Sequence, residues 1–165
     1  MTVTRQGFYR WDGESLQGVA TMRVARLLLA ACLAAVAPAA AEEFDAGSFV
    51  VHYVVIGTEQ LTPEVADKYG IARSPHRALL NVSIVRKVPG TTGTPIPAMV
   101  QVSAVNQAGQ YRPITMRRVD EPPSVYYLGE VTVADRETMS FELNVLVEGE
   151  STPVRLRLQQ QFFTR

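Results

Sequence analysis

The sequence predicts an all-β domain: an antiparallel two-sheet sandwich of about seven strands, immunoglobulin-like, with one short helix after the first strand. Apolar and polar residues alternate along most of the chain after residue 41, which is the period of a half-buried strand. Turn-forming residues separate these segments at short intervals, and one segment alone has a helical pattern. This organisation is typical of a sandwich. A small closed barrel is the alternative.

The predicted strands are bounded by Gly, Pro, Asn or Asp. The first is apolar on both faces except at His52, so we expect it to be buried on both sides. Pro113 lacks a backbone donor, which suits its strand to a sheet edge. The last two strands are expected to pair as a hairpin, because a short turn separates them. The segments are 49–56, 78–88, 98–105, 110–119, 125–133, 139–147 and 154–163.

The pattern of residues 62–70 predicts that this segment forms the short helix. Thr62 suits the N-cap, Pro63 the first helical position, and Glu64 the positive end of the helix dipole. Gly70 suits the exit. The apolar residues of this region are expected to plug one end of the sandwich; they are Leu61, Val65, Tyr69 and Ile71.

Residues 22–41 have the three parts of a secretory signal peptide. Arg23 and Arg26 precede an apolar run over 27–36, and Ala39 and Ala41 form a small-x-small cleavage site. We expect cleavage after Ala41, which gives a periplasmic protein that begins at Glu42. The apolar run is shorter than the roughly 20 residues that span a bilayer, so no permanent membrane anchor is expected.

Two features near the N-terminus leave alternatives open. Residues 1–21 have no periodicity and precede a complete signal; they are interpreted as a start-site artefact, with translation beginning at Met22, or else as a long signal n-region. Leu29 to Cys32 matches the pattern at which bacterial lipoproteins are lipidated. Cleavage there would leave the apolar segment 33–41 on the mature protein, so cleavage after Ala41 is favoured.

The composition of the mature chain excludes some partners. From Glu42 onward there are 12 Lys and Arg against 14 Asp and Glu, a net charge of −2. A protein that holds nucleic acid needs a basic excess to neutralise phosphates, so nucleic acid is not an expected partner. Cys32 is the only cysteine and lies in the segment expected to be removed, so no disulfide is expected.

The sequence contains no recognisable catalytic constellation, and we expect neither an enzyme nor a cofactor. A hydrolase triad needs a nucleophile, a base and an orienting acid, and His52 and His76 are the only imidazoles. Two histidines without a mature cysteine or a close carboxylate pair are too few for a structural zinc site. His52 is expected at a sheet surface and His76 in a solvated loop.

Five arginines on two predicted strands allow a second kind of site. Clustered, they would form a patch for an anionic glycan or lipid head group. Separated on solvent faces, they would discourage edge-to-edge aggregation, and this is the favoured interpretation. They are Arg112, Arg117, Arg118, Arg155 and Arg157.

The most specific block of the chain is residues 50–85. It contains the segments 51–53 (VHY), 61–66 (LTPEVA), 69–74 (YGIARS) and 78–83 (ALLNVS). In these segments the chain resembles a family of small exported proteobacterial proteins of unknown function. The resemblance implies a periplasmic, immunoglobulin-like domain without an assigned activity, and it supplies no catalytic residues.

The predicted function is that of an exported, non-catalytic binding or accessory module with a periplasmic protein partner. The alternatives are a structural component that acts by strand addition and, least favoured, a hydrolase. Loops on a rigid β scaffold usually carry binding residues, and a guanidinium suits a carboxylate or phosphate. Arg73 is therefore the expected charged contact; its other role would be to tie the helix exit to backbone carbonyls. The candidate partner-binding residues are Glu64, Tyr69, Arg73, Ser74 and His52.

Overall fold

Ten strands and one short α-helix make up the fold in residues 42–164, which are the residues that the computed structural model describes. The predicted signal peptide, its cleavage site and Cys32 lie outside the described residues. A single 3-10 turn, Thr58–Gln60, precedes the helix. In chain order the elements are β1 Glu42–Asp45, β2 Phe49–Gly57, α1 Pro63–Tyr69, β3 Arg77–Arg86, β4 Thr94–Pro95, β5 Ala98–Asn106, β6 Tyr111–Ile114, β7 Arg117–Glu121, β8 Ser124–Thr132, β9 Thr138–Val147 and β10 Val154–Gln161.

The strands form two antiparallel sheets. The first sheet has the order β1-β2-β3-β8-β7, with β4 paired to β3, and the second has the order β10-β9-β5-β6. Strands β2, β3, β8 and β7 therefore take the places of A, B, E and D in an immunoglobulin domain, and β10, β9 and β5 those of G, F and C. The predicted immunoglobulin-like sandwich is confirmed, and the described sheets do not close into a barrel.

Alternating side chains build the core between the two sheets, as the sequence predicts. On β9, Met139, Phe141 and Leu143 are 0–1% exposed. The ring of Phe141 packs edge-to-face on that of Phe162, with centroids 6.4 Å apart, a geometry that aromatic pairs prefer. A polar contact also joins the sheets, because the Ala98 N–H donates to the Tyr127 hydroxyl at 2.8 Å. The predicted β9–β10 hairpin is confirmed.

The predicted strand 110–119 is two strands in different sheets. Strand β6 ends at Ile114 and pairs with β5, whereas β7 begins at Arg117 and pairs with β8. The segment that crosses between the sheets packs directly against Gly129 of β8, where a Cβ would collide with Met116 and Ile114. Only Thr115 and Met116 separate the two strands, so the sequence pattern does not reveal the crossing. Pro113 does lie on an edge strand, as predicted.

Other boundaries also differ from the sequence interpretation. Strand β7 runs on to Glu121, which pairs with Ser124 across a tight turn. The predicted break over residues 120–123 is therefore shorter than expected and consists of Pro122 and Pro123. Strands β1 and β4 are too short to show a period. Strand β2 is buried on one face only, because Val50 and Val54 on its other face are half-buried.

Candidate functional site

The candidate site is built on residues 58–76, between β2 and β3, which we call the helical insert. Its helix has the predicted caps. The Thr62 hydroxyl accepts from the Val65 N–H at 3.4 Å, and Pro63 occupies the first turn. Gly70 ends the helix in the left-handed conformation, with φ +61°, which glycine adopts without a steric penalty.

The helical insert covers the outer face of the first sheet and does not plug an end of the sandwich. Leu79 and Leu128 point away from the main core, and Ile71 of the insert buries them in a second, smaller core. Alternation brings every second side chain of β3 and β8 to this outer face, which the insert then shields from water. Val65 is 38% exposed and lies outside this core. The half-buried residues packed around the second core are Ile56, Leu61, Tyr69, Val119 and Tyr126.

Thr58 fixes the loop that leaves the helix. Its side chain is fully buried, and its hydroxyl lies 3.0 Å from the Ala72 carbonyl and 3.1 Å from the Ser74 carbonyl. The Ser74 N–H donates back to it at 3.0 Å. The Ser74 hydroxyl in turn accepts from the His76 N–H at 3.1 Å. Ser74, a candidate binding residue, is thus held in place by a residue that the sequence analysis missed.

Glu121 of β7 anchors the C-terminal end of α1. It accepts a hydrogen bond from the Tyr69 hydroxyl at 2.6 Å and pairs with Lys68 at 2.5 Å. These bonds, first that of Lys68 and then that of Tyr69, hold the pKa of Glu121 below its ordinary value. Arg117, also on β7, donates to the Tyr69 carbonyl. Two residues more than 45 positions downstream therefore fix this end of the helix, and no local pattern predicts them.

Four of the five candidate residues share the helical insert. Arg73 donates to the Glu59 carbonyl at 2.9 Å on the exposed side of the insert. Glu64 is exposed, and bonds from its own backbone N–H and from Thr62 lower its pKa. His52 is not part of this surface; it lies on β2 with its Nδ1 3.7 Å from a carboxylate oxygen of Glu43 on β1.

A cleft of about 480 Å³ borders the helical insert, and we call it the edge cleft. It lies between β2 of one sheet and β10 of the other. Apolar side chains such as Val55, Leu158 and Phe162 line it, and the exposed residues Glu42 and Glu59 lie at its rim. Burial, and then the hydrogen bond with Glu42, raise the pKa of Tyr53 in this cleft. No sequence pattern predicts this cleft, because it forms only where the two sheet edges meet.

The five arginines do not form a patch, so that hypothesis is wrong. They lie on β6, β7 and β10, in two different sheets. Four of them already have partners within the domain. Arg112 pairs with Glu137, Arg118 with Asp120 and Arg157 with Glu142, and Arg117 bonds to the Tyr69 carbonyl.

The described residues do not bring together a set of metal donors. Between residues 42 and 164, no three side chains of His, Cys, Asp or Glu lie close enough to share an ion. Over the same range, no helix has the length and hydrophobicity needed to cross a membrane.

Comparisons with known proteins agree with the fold. The model of a domain of unknown function, DUF4426, matches residues 43–165. The crystal structure of a DUF4426 family protein from Pseudomonas aeruginosa PAO1 is 29% identical, with a TM-score of 0.65, over 76% of this chain and 96% of that one. FetP of uropathogenic Escherichia coli strain F11 is 13% identical, with a TM-score of 0.54, over 76% and 95%. A copper-bound variant of FetP, also 13% identical, has a TM-score of 0.53 over 76% and 97%. No curated protein matches the chain.

Proposed function

The chain belongs to the DUF4426 family, and we propose that it is an exported, non-catalytic binding module whose helical insert holds a periplasmic protein partner. The observation that carries this proposal is the anchoring of the insert. Thr58 fixes its exit loop and Glu121 fixes its helix, while Glu64 and Arg73 remain exposed. An exposed surface that is already ordered loses less entropy when it binds a partner.

Export is supported by the signal-peptide pattern over residues 22–41. The FetP chain with the same fold was expressed in the periplasm of Escherichia coli. At 13% identity FetP shows the fold alone, so the export proposal rests on the signal-peptide pattern of this sequence.

Copper is not part of the proposal. A FetP variant was solved with copper, and a copper site in a protein takes imidazole, thiolate or thioether ligands. The imidazole of His52 faces Glu43 on an exposed sheet surface, and His76 is in the loop before β3. The described residues bring no third His, Cys, Asp or Glu to either histidine, so neither histidine belongs to such a set of donors.

The same two histidines are the imidazoles that a hydrolase built on this chain would use as its base. A nucleophile–base pair lies within hydrogen-bond reach in an active hydrolase. Among the hydrogen bonds of residues 42–164, none joins the imidazole of His52 or His76 to a hydroxyl.

A photo-crosslinking amino acid tests the proposed surface. It replaces Glu64 on the helical insert or, as the control, Gln101, which is exposed on β5 of the other sheet. We expect irradiation of the source bacterium to join one defined protein to position 64 and none to position 101. Equal products at both positions, or a product at position 101 alone, would contradict the proposal. Turnover in a hydrolase panel that is lost when both histidines are replaced would contradict the non-catalytic role.

A further inference from the structure

Strand β2 has backbone groups that point away from its neighbour β3. The Lys87 N–H donates to the Ser48 carbonyl at 3.0 Å, so Ser48 faces β3. The Ala46 N–H donates to the Phe49 carbonyl at 2.9 Å, so Phe49 faces β1. Hydrogen-bonding direction alternates along a strand, and the β2–β3 register is unbroken. The N–H and C=O of Val55 therefore point to the same edge as those of Phe49.

Within residues 42–164, strand β1 does not reach this part of the edge. It begins at Glu42, opposite Tyr53, whereas β2 continues to Gly57. Within residues 42–164, neither a strand nor a side chain bonds to the N–H or C=O of Val55. Unpaired strand edges are templates for another strand, and this one opens into the edge cleft.

The edge cleft has the chemistry of a site for a basic, alternating strand. Residues opposite Val55 would point inward, toward the apolar wall formed by Leu158 and Phe162. Glu42 and Glu59 lie at the rim, and neither is ion-paired to a cation of residues 42–164. Cleavage after Ala41 adds an α-amino group at Glu42, which leaves one net negative charge at the rim.

The residues that precede Glu42 are poor candidates for this place. Continuing the β1 register would bring Ala41, Ala40, Ala39 and Pro38 opposite residues 54–57. Alanine is depleted in strands, and proline has no N–H to donate to a ladder. The predicted cleavage also removes all four.

We propose that the edge cleft accepts an extended, basic segment of a partner protein, which adds to β2 as an antiparallel strand in line with β1. Main-chain bonds to Val55 would supply affinity, and the apolar wall and acidic rim would select the side chains, as in other strand additions. This goes beyond the proposed function, because the partner strand pairs with β2 and not with the exposed helix; the helical insert contributes only residues that border the cleft, among them Glu59.

Amide hydrogen exchange on the protein of residues 42–165 tests the inference. A solved family member is matched over 96% of its own length by 76% of this chain, so the domain folds on its own in a relative. The probe is a capped hexapeptide of alternating lysine and valine. We expect the Val55 amide to exchange fast in the free protein and at least tenfold more slowly with saturating peptide. The Val54 and Ile56 amides, which face β3, should be slow throughout.

Two control peptides separate charge from strand pairing. The same peptide with glutamate in place of lysine, or with N-methyl groups along the pairing edge, should leave Val55 exchange unchanged. Equal protection by the glutamate peptide would overturn the basic partner, and equal protection by the N-methylated peptide would overturn strand addition.

Three further outcomes would overturn the inference. They are slow Val55 exchange in the free protein at every concentration, protection that rises with protein concentration, and protection in protein that retains residues 22–41. The first means that the edge is already covered, the second that another copy covers it, and the third that the leader does. A proline scan is the independent check. Val55→Pro should fold and lose peptide binding, whereas Val54→Pro removes a β2–β3 bond and should unfold at a lower temperature.

Discussion

The Ser74 N–H donates to the Thr58 hydroxyl at 3.0 Å, and this bond joins two ends of the helical insert that are 16 residues apart in sequence. The hydroxyl also bonds to the exit loop through a backbone carbonyl, and its residue is fully buried. These bonds close the helical insert on itself, and the position of Ser74 depends on Thr58.

Replacing Thr58 with Val should lower the stability of the domain. The change keeps the shape of the side chain and leaves the Ser74 N–H without its buried partner, which costs about 1–3 kcal/mol. Thermal unfolding followed by circular dichroism measures it, at about 3–6 °C per kcal/mol for a domain of this size. Thr132→Val, at an exposed position of β8, is the matched control. A similar melting temperature for both variants would mean that the Thr58 hydroxyl does not hold the loop.

Glu137 should make the domain sensitive to acid. Burial, the largest single effect, raises the pKa of Glu137, but hydrogen bonds from Asn106, Arg112 and the Ala134 N–H together outweigh it and bring the pKa below its ordinary value of 4.5. The unfolded chain therefore takes up the proton more readily than the folded one. The stabilisation is complete above pH 4.5 and is lost as the pH falls through the lowered folded-state pKa.

The variant Glu137→Gln measures this contribution. Removing one partner of a buried pair costs about 3–5 kcal/mol of stability. We expect a loss of roughly 2–3 kcal/mol here, because the Arg112 side chain is 28% exposed and the pair is only partly buried. The difference from the wild type in urea unfolding should shrink between pH 7 and pH 3. Glu130→Gln breaks a surface pair with Arg77 and should cost less than about 1 kcal/mol. A pH-independent difference for Glu137→Gln would contradict the assignment.

A charge substitution should cost much more stability at one position of β9 than at its neighbour. Leu143 is fully buried, whereas Glu142 faces solvent 3.5 Å from Arg157. Leu143→Asp places an unpaired charge in the core and should cost several kcal/mol, while Glu142→Lys should change stability by less than about 1 kcal/mol. Urea unfolding measures both, and equal losses would mean that the two faces of β9 are not as described.

The parts of the fold that the sequence predicted are those with a local cause. Leu143 and Glu142 differ in burial because side chains alternate along a strand, and Thr62 and Gly70 end the helix through bonds within a few residues. The Tyr69–Glu121 bond spans 52 positions, and the crossing at Gly129 depends on which sheet receives β7. Which backbone groups of β2 stay unpaired within residues 42–164 depends on how far β1 runs along it. None of these has a local signature, so the candidate site was predicted only as a loop surface.

Export predicts a defined N-terminus. Intact-mass spectrometry of protein from the periplasmic fraction should give a chain that begins at Glu42. A protein whose translation begins at Met22 should be exported equally well. A lipid-modified Cys32 would contradict cleavage after Ala41, and failed export from Met22 would place residues 1–21 within the signal.

The helical insert as a binding surface is tested most directly by Arg73→Ala. Arg73 is exposed, and within residues 42–164 it makes one hydrogen bond, to the Glu59 carbonyl, so its loss should lower the melting temperature by less than about 3 °C. The measurement is the affinity of the folded variant for the protein crosslinked at position 64, with the melting temperature recorded on the same sample. We predict near-native melting and at least a tenfold loss of affinity. Native affinity in the folded variant, with a melting temperature lowered by several degrees, would make Arg73 a structural tie and contradict the account.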